Sequence, residues 1–219
     1  MSKASLKCNC SLTNYSVDAA AVLPCAAAFK KCFMITEIVK RIEYEINDSF
    51  DKIFTWFNVK NELLNYAPKT KGWSVAQNLE HVSLTNHYLL ILIEKGTTKA
   101  VEKAANTDYA DLIKNYDVEW DKFEVISKNN SFEWIRPKHM EPTGDVALPE
   151  VKAKLALQRE ECIGCMHKLQ NGEGILYKTM MSVNGLGKID VYQYIIFLVR
   201  HIQRHLEQMQ KIKLEFDQL

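Results

Sequence analysis

The chain has 219 residues, 47% of them apolar and 25% charged, which suits one soluble globular domain with a sizeable core, or one domain plus an appendage. Its 28 basic and 27 acidic residues leave a net charge of +1, which argues against a broad electrostatic footprint for nucleic acid. No uninterrupted apolar run approaches the ~18 residues that mark a membrane-spanning helix.

Residues 1–33 differ in texture from the rest. They carry Cys8, Cys10, Cys25 and Cys32, Ala-rich patches and no sustained period, whereas only Cys162 and Cys165 follow. The apolar stretch Ala19–Leu23 is short for a signal peptide and is interrupted by Pro24. The expectation is a weakly structured extension over 1–33 and a domain over 34–219, with free thiols pointing to a reducing cytoplasm.

From Met34 to Phe57, Ile35, Ile38, Val39, Ile42, Ile46, Phe50, Ile53, Phe54 and Phe57 recur at intervals of three and four, which predicts a long amphipathic helix. Pro68 and Gly72 bracket a polar turn. Ser74-Val75-Ala76-Gln77 has the form of a capping box, opening a helix expected to run to Lys95 and stop at Gly96. Val75, Leu79, Val82, Leu89 and Ile93 form its main stripe, and His81, Leu84, Tyr88 and Leu92 a second one.

Thr97–Lys128 is charged and accommodates one or two short helices, and Asn129–Leu148, with Pro137, Pro142 and Gly144, reads as a loop. Pro149 starts a third long helix to Gln170, ended by Asn171-Gly172. Gly174–Lys188 is a connector, and Asp190-Val191-Tyr192-Gln193 is a second capping box that launches the last helix. Four long helices with one elaborate connection between the second and third imply an all-α four-helix bundle.

The last helix holds the strongest chemical signal. Val191, Ile195, Leu198, Ile202, His205, Met209, Ile212 and Phe216 follow heptad spacing, so His205 stands where Leu is the ordinary choice. His201 lies one turn back. Positions i and i+4 share a helix face, so both imidazoles can reach one point, as a divalent transition metal requires of two nitrogen ligands. A third ligand must come from elsewhere, and the candidates are His81, His87, His139 and His167.

The run Trp73-Ser74-Val75-Ala76-Gln77-Asn78-Leu79-Glu80-His81, followed far downstream by His201-Ile202-Gln203-Arg204-His205-Leu206-Glu207-Gln208, resembles the DinB/YfiT-like superfamily of four-helix bundles over residues 34–216. The resemblance implies a metal near one end of the bundle, zinc or nickel, held by one His of the second helix and two of the fourth. By motif position these are His81, His201 and His205. It also implies thiol-dependent chemistry on a small molecule, such as conjugation of a low-molecular-weight thiol, and a second copy packed alongside as a homodimer. Where the family often has Glu this chain has Gln77, which capping explains.

Three neutral imidazoles leave a position for water or substrate, the open shell of a catalytic zinc site. The expected function is therefore metal-dependent S-transfer or hydrolysis. The alternative is a non-catalytic helical binding module whose metal site is structural or vestigial.

Other constellations are weaker. Cys162-Ile163-Gly164-Cys165 falls in mid-helix, away from the helix N-terminus that activates a redox C-x-x-C, and Cys8-Asn9-Cys10 has no matching pair. His139 lies in a loop that can cover the bundle mouth, His87 points to another face, and Tyr88 is a pocket or core aromatic. Tyr194 and Gln208 flank the His pair and are candidates to orient a ring.

Overall fold

The computed structural model describes the backbone of residues 23–69, 72–129, 131, 132, 134 and 137–219, and side chains from residue 34 onward. Cys8, Cys10, Cys25 and Cys32 lie outside the described side chains, as does the reading of 1–33 as an extension.

Among the described residues the chain is mostly helical, with loops between the helices and one small hairpin. In order it forms α1 (Leu23–Thr55), α2 (Asn61–Leu64), α3 (Val75–Ala104), α4 (Ala110–Lys114), α5 (Trp120–Ser127), α6 (Leu148–His167), β1 (Lys178–Met181), β2 (Gly187–Asp190) and α7 (Val191–Phe216). Helix α1 begins earlier than its apolar period announces. Pro24 is its second residue, where the missing N–H costs nothing.

Among the described residues α1, α3, α6 and α7 are the long helices. Helix α3 packs on both α6 and α7, and so does α1, so α1 and α3 face each other across the bundle. The predicted stripes are the core. Ile35, Val39, Ile42, Ile46, Phe50 and Ile53 of α1 are buried, as are Val75, Leu79, Val82, Leu89 and Ile93 of α3. On α7 the whole heptad seam is buried down to Ile212, with Phe216 at its edge.

Both capping boxes form. Ser74 accepts from the Gln77 N–H and Asp190 from the Gln193 N–H, while each Gln reaches back to its cap. The caps set where α3 and α7 begin, and so which way every side chain one to three turns along must face.

Four expectations need correction. Helix α3 does not stop at Gly96 but continues to Ala104. Gly96 is there for closeness: a Cβ would stand 3.1 Å from Val191 Cγ2 and 3.5 Å from the Tyr177 ring. The second stripe of α3 is graded, with His81 buried, Leu84 and Tyr88 half-buried and Leu92 exposed. The connector before α7 contains an antiparallel hairpin, with Lys178 opposite Asp190 and Met181 opposite Gly187. Helix α6 also ends at His167, a turn before Asn171-Gly172, where Gly172 takes φ +95°.

Between Ser127 and Leu148 the chain crosses the end of the bundle that carries the histidines. It contains a short 3₁₀ turn, Lys138–Met140, and residues 143–144 are tied to Glu80 of α3. Among the described residues no helix is long and apolar enough to cross a membrane.

Candidate metal centre

His81 comes from α3 and His201 and His205 from α7, and all three are buried. A ligand nitrogen of each lies within 4.8 Å of the others. The ring centroids of His81 and His205 are 4.7 Å apart, those of His201 and His205 4.6 Å, and those of His81 and His201 5.3 Å. Among the described residues this is the one group of three metal-binding side chains.

Hydrogen bonds orient two of the rings. His81 Nδ1 is 2.6 Å from the Met140 carbonyl oxygen, which can only accept, so His81 carries its proton on Nδ1 and a lone pair on Nε2. His205 Nδ1 is 2.9 Å from Asn78 Oδ1. The Asn78 amide cannot be turned round, because its NH₂ donates to the Ser74 carbonyl at 2.8 Å and the Trp73 carbonyl at 3.3 Å. His205 therefore also donates through Nδ1 and presents a bare Nε2. A capping residue's own carbonyl thus reaches through Asn78 to choose a tautomer on another helix.

His201 shows why the cluster is not an ordinary polar core. Its Nε2 stands 3.2 Å from His205 Nε2, and its Nδ1 is buried with no partner among the described residues. Whichever nitrogen holds the proton, a polar ring atom is left unmatched. Two nitrogens each roughly 2.1 Å from one ion, at roughly 90–110°, stand roughly 3.0–3.4 Å apart. The observed separation falls in that range, and three neutral nitrogen donors suit a borderline divalent ion. The residues fit the metal that the resemblance implies.

Burial holds the His201 and His205 pKa values well below 6.5. For His201 the neighbouring His81 and Arg204 add to this. For His205, His201, His81 and Arg204 act in the same direction and Gln208 opposes them. Both rings are therefore neutral, with lone pairs available, at neutral pH.

The sign has a consequence for the metal-free protein. Below pH ~6.5 the unfolded chain takes up protons on these rings that the folded chain refuses, so stability falls on acidification, by up to about 1.4 kcal/mol per pH unit per ring. Asp190, raised by burial to about 6, works in the opposite direction below that pH. Urea unfolding between pH 7.5 and 5.5, comparing the native chain with His201→Leu/His205→Leu, isolates the pair because Asp190 is common to both. The double variant should lose less stability on acidification; equal slopes would show that the rings protonate freely.

The three histidines open onto a cleft of about 430 Å³. Trp73 packs 4.5 Å from His81 and Trp134 5.9 Å from His201, centroid to centroid. The Arg204 guanidinium lies over Trp134 at 4.8 Å and donates to the Lys128 carbonyl, and Lys211 and Glu215 stand at the rim.

The other candidates are elsewhere. His87, His139 and His167 are exposed. His139 meets the Tyr88 ring edge-on at 4.5 Å between centroids, outside the cleft. The Tyr194 hydroxyl donates to the Met180 carbonyl at 2.6 Å and serves the hairpin, not the histidines. Gln208 does line the cleft and donates to Asn129 Oδ1 at 3.1 Å. Cys162 and Cys165 are buried in α6, and burial pushes both thiols up, the opposite of an activated pair. Sequence reasoning missed the roles of Asn78, Met140 and Glu80. Only the first had a signal, its place one turn before His81.

The chain is similar to the uncharacterized protein YuaE of Bacillus subtilis (strain 168), 24% identical over 169 residues that cover 74% of this chain and 92% of that protein. No solved structure matches it significantly. The profile of the DinB superfamily matches residues 53–209, a span that runs from the end of α1 through both histidine-bearing helices. With well over half of its length in that match, this chain belongs to the DinB superfamily.

Proposed function

We propose that the protein is a metal-dependent enzyme that acts on a small molecule at the open side of a His81–His201–His205 site, by thiol-dependent S-transfer or by hydrolysis. The observation that carries this reading is the convergence of unprotonated ring nitrogens at the wall of a cleft. A core that used histidine only for packing would pair those nitrogens with donors.

Bound there, zinc or nickel would supply Lewis acidity and lower the pKa of a coordinated thiol or water toward neutrality. The protein's own groups do the rest. The Met140 carbonyl and Asn78 hold His81 and His205 in the ligating tautomer. Trp73 and Trp134 give the cleft apolar walls that limit water. Lys211 is paired with Glu207 at 2.5 Å and Glu215 is acidic, so the attraction for an anionic reactant such as a thiolate comes from Arg204, whose guanidinium lies at the cleft wall over Trp134.

The test is a panel of low-molecular-weight thiols against electrophiles and hydrolysable esters. Turnover should be lost on chelation and restored by zinc or nickel. If the protein binds metal tightly yet shows no metal-dependent turnover across the panel, the binding-module reading replaces this one.

A further inference from the structure

Glu80 precedes His81 on α3 and is 4% exposed. A carboxylate at that depth is costly unless its oxygens are satisfied. Both are satisfied by one loop. Oε1 accepts from the Thr143 N–H at 2.9 Å and the Thr143 hydroxyl at 3.1 Å, and Oε2 from the Gly144 N–H at 2.8 Å. Three residues upstream, the 3₁₀ turn of that loop sets the Met140 carbonyl 2.6 Å from His81 Nδ1. Consecutive residues of α3 therefore grip the same short segment at two points.

Consecutive helical residues point roughly 100° apart, so Glu80 does not share the face on which His81 meets His201 and His205. Its action is indirect. We propose that Glu80 is a positioning residue: by clamping residues 143–144 it holds the Met140 carbonyl against His81, which keeps the proton on Nδ1 and turns Nε2 toward the metal. The Thr85 hydroxyl, 3.4 Å from Nε2, can donate or accept and so does not select between tautomers, whereas a carbonyl oxygen can only accept. The metal part of this inference rests on the proposed three-histidine site; the tautomer part does not.

The experiment uses the full chain with ¹⁵N-labelled histidine, first metal-free and then titrated with zinc against a chromophoric chelator. In the native protein His81 should show a protonated Nδ1 and a bare Nε2 in long-range ¹H–¹⁵N correlation spectra. Glu80→Ala should give a mixed or inverted tautomer and about tenfold weaker zinc binding, the low end of the usual effect of removing an outer partner of a ligating histidine. Thr143→Val, at an exposed loop position, removes one of the three hydrogen bonds and should weaken zinc binding about two- to threefold. Glu80→Gln keeps an acceptor for Thr143 but sets an NH₂ against the Gly144 N–H, and should fall between the two.

A folded Glu80→Ala protein with an unchanged His81 tautomer and zinc affinity within twofold overturns the proposal. If that variant does not fold, an unchanged tautomer in both Glu80→Gln and Thr143→Val overturns it equally. A tautomer that responds to Glu80 in a native protein unable to bind zinc supports the clamp and removes the metal reading instead.

Discussion

Replacing His205 with Ala should weaken zinc binding at least about 100-fold. Sharing roughly 10–16 kcal/mol of apparent zinc binding over four ligands gives about 3 kcal/mol for each, a factor of about 150. His205 is the right residue to remove because it is central: its ring approaches both His81 and His201 to under 5 Å between centroids. Alanine also strands Asn78 Oδ1, which loses its imidazole donor and costs about 1 kcal/mol of stability. His205→Gln, which retains an N–H donor, separates the two effects. It should recover melting temperature without recovering the affinity.

The controls are His139→Ala and Cys162→Ala, in the exposed loop and in the core of α6. Both should bind zinc within about threefold of the native chain, since neither side chain approaches the cluster. Competition with a chromophoric chelator measures the native chain and all four variants on one scale. Undiminished zinc occupancy in His205→Ala would sink the site assignment outright.

The second large effect concerns Arg200, the neighbour of His201 on α7. Its side chain is 3% exposed and bridges two helices. One guanidinium nitrogen donates to Glu45 of α1 at 2.6 Å, and the other pairs with Glu124 of α5 at 3.0 Å. The two acidic partners are not equivalent. Glu45 has 15% of its side chain exposed and Glu124 has 45%. Screening makes the outer pair worth little, about 0.5 kcal/mol, whereas removing the inner partner leaves a buried cation short of its counter-charge.

Glu45→Ala should therefore destabilise the protein by about 3 kcal/mol, lowering the melting temperature by about 6–12 °C, and Glu124→Ala by far less. Apolar replacement of both members, Glu45→Leu with Arg200→Leu, should recover most of that loss, because no charge is then left buried. Equal melting temperatures for Glu45→Ala and Glu124→Ala would show that the burial difference does not govern the network.

Much of this was legible before any coordinates. Helix periodicity is a local property, so the buried stripes of α1, α3 and α7 could be read from intervals of three and four. A capping box closes within four residues, so Ser74 with Gln77 and Asp190 with Gln193 were visible too. The i, i+4 spacing of His201 and His205 needs nothing but a helix to put both rings on one face. His81 was reached only by likeness to a family, because spacing along the chain left His87, His139 and His167 as equal candidates.

The remainder depends on contacts between residues far apart in sequence. Gly96 looked like a helix stop, yet its lack of a side chain serves the approach of Val191 and Tyr177, a reason that exists only once α3 lies beside them. The hairpin 178–190 was hidden because eight strand residues among glycines make too short an alternating pattern to stand out from a connector. Tyr194 sat beside the histidines along the helix but turned to Met180, since neighbours in sequence on a helix need not share a face.

The tautomers of His81 and His205 are the clearest division. The residue types alone establish that nitrogen donors are present. Which nitrogen offers its lone pair is decided by the carbonyls of Met140 and Asn78, 59 and 127 residues away in the chain. Those partners arrive only through tertiary packing, and no local pattern encodes them.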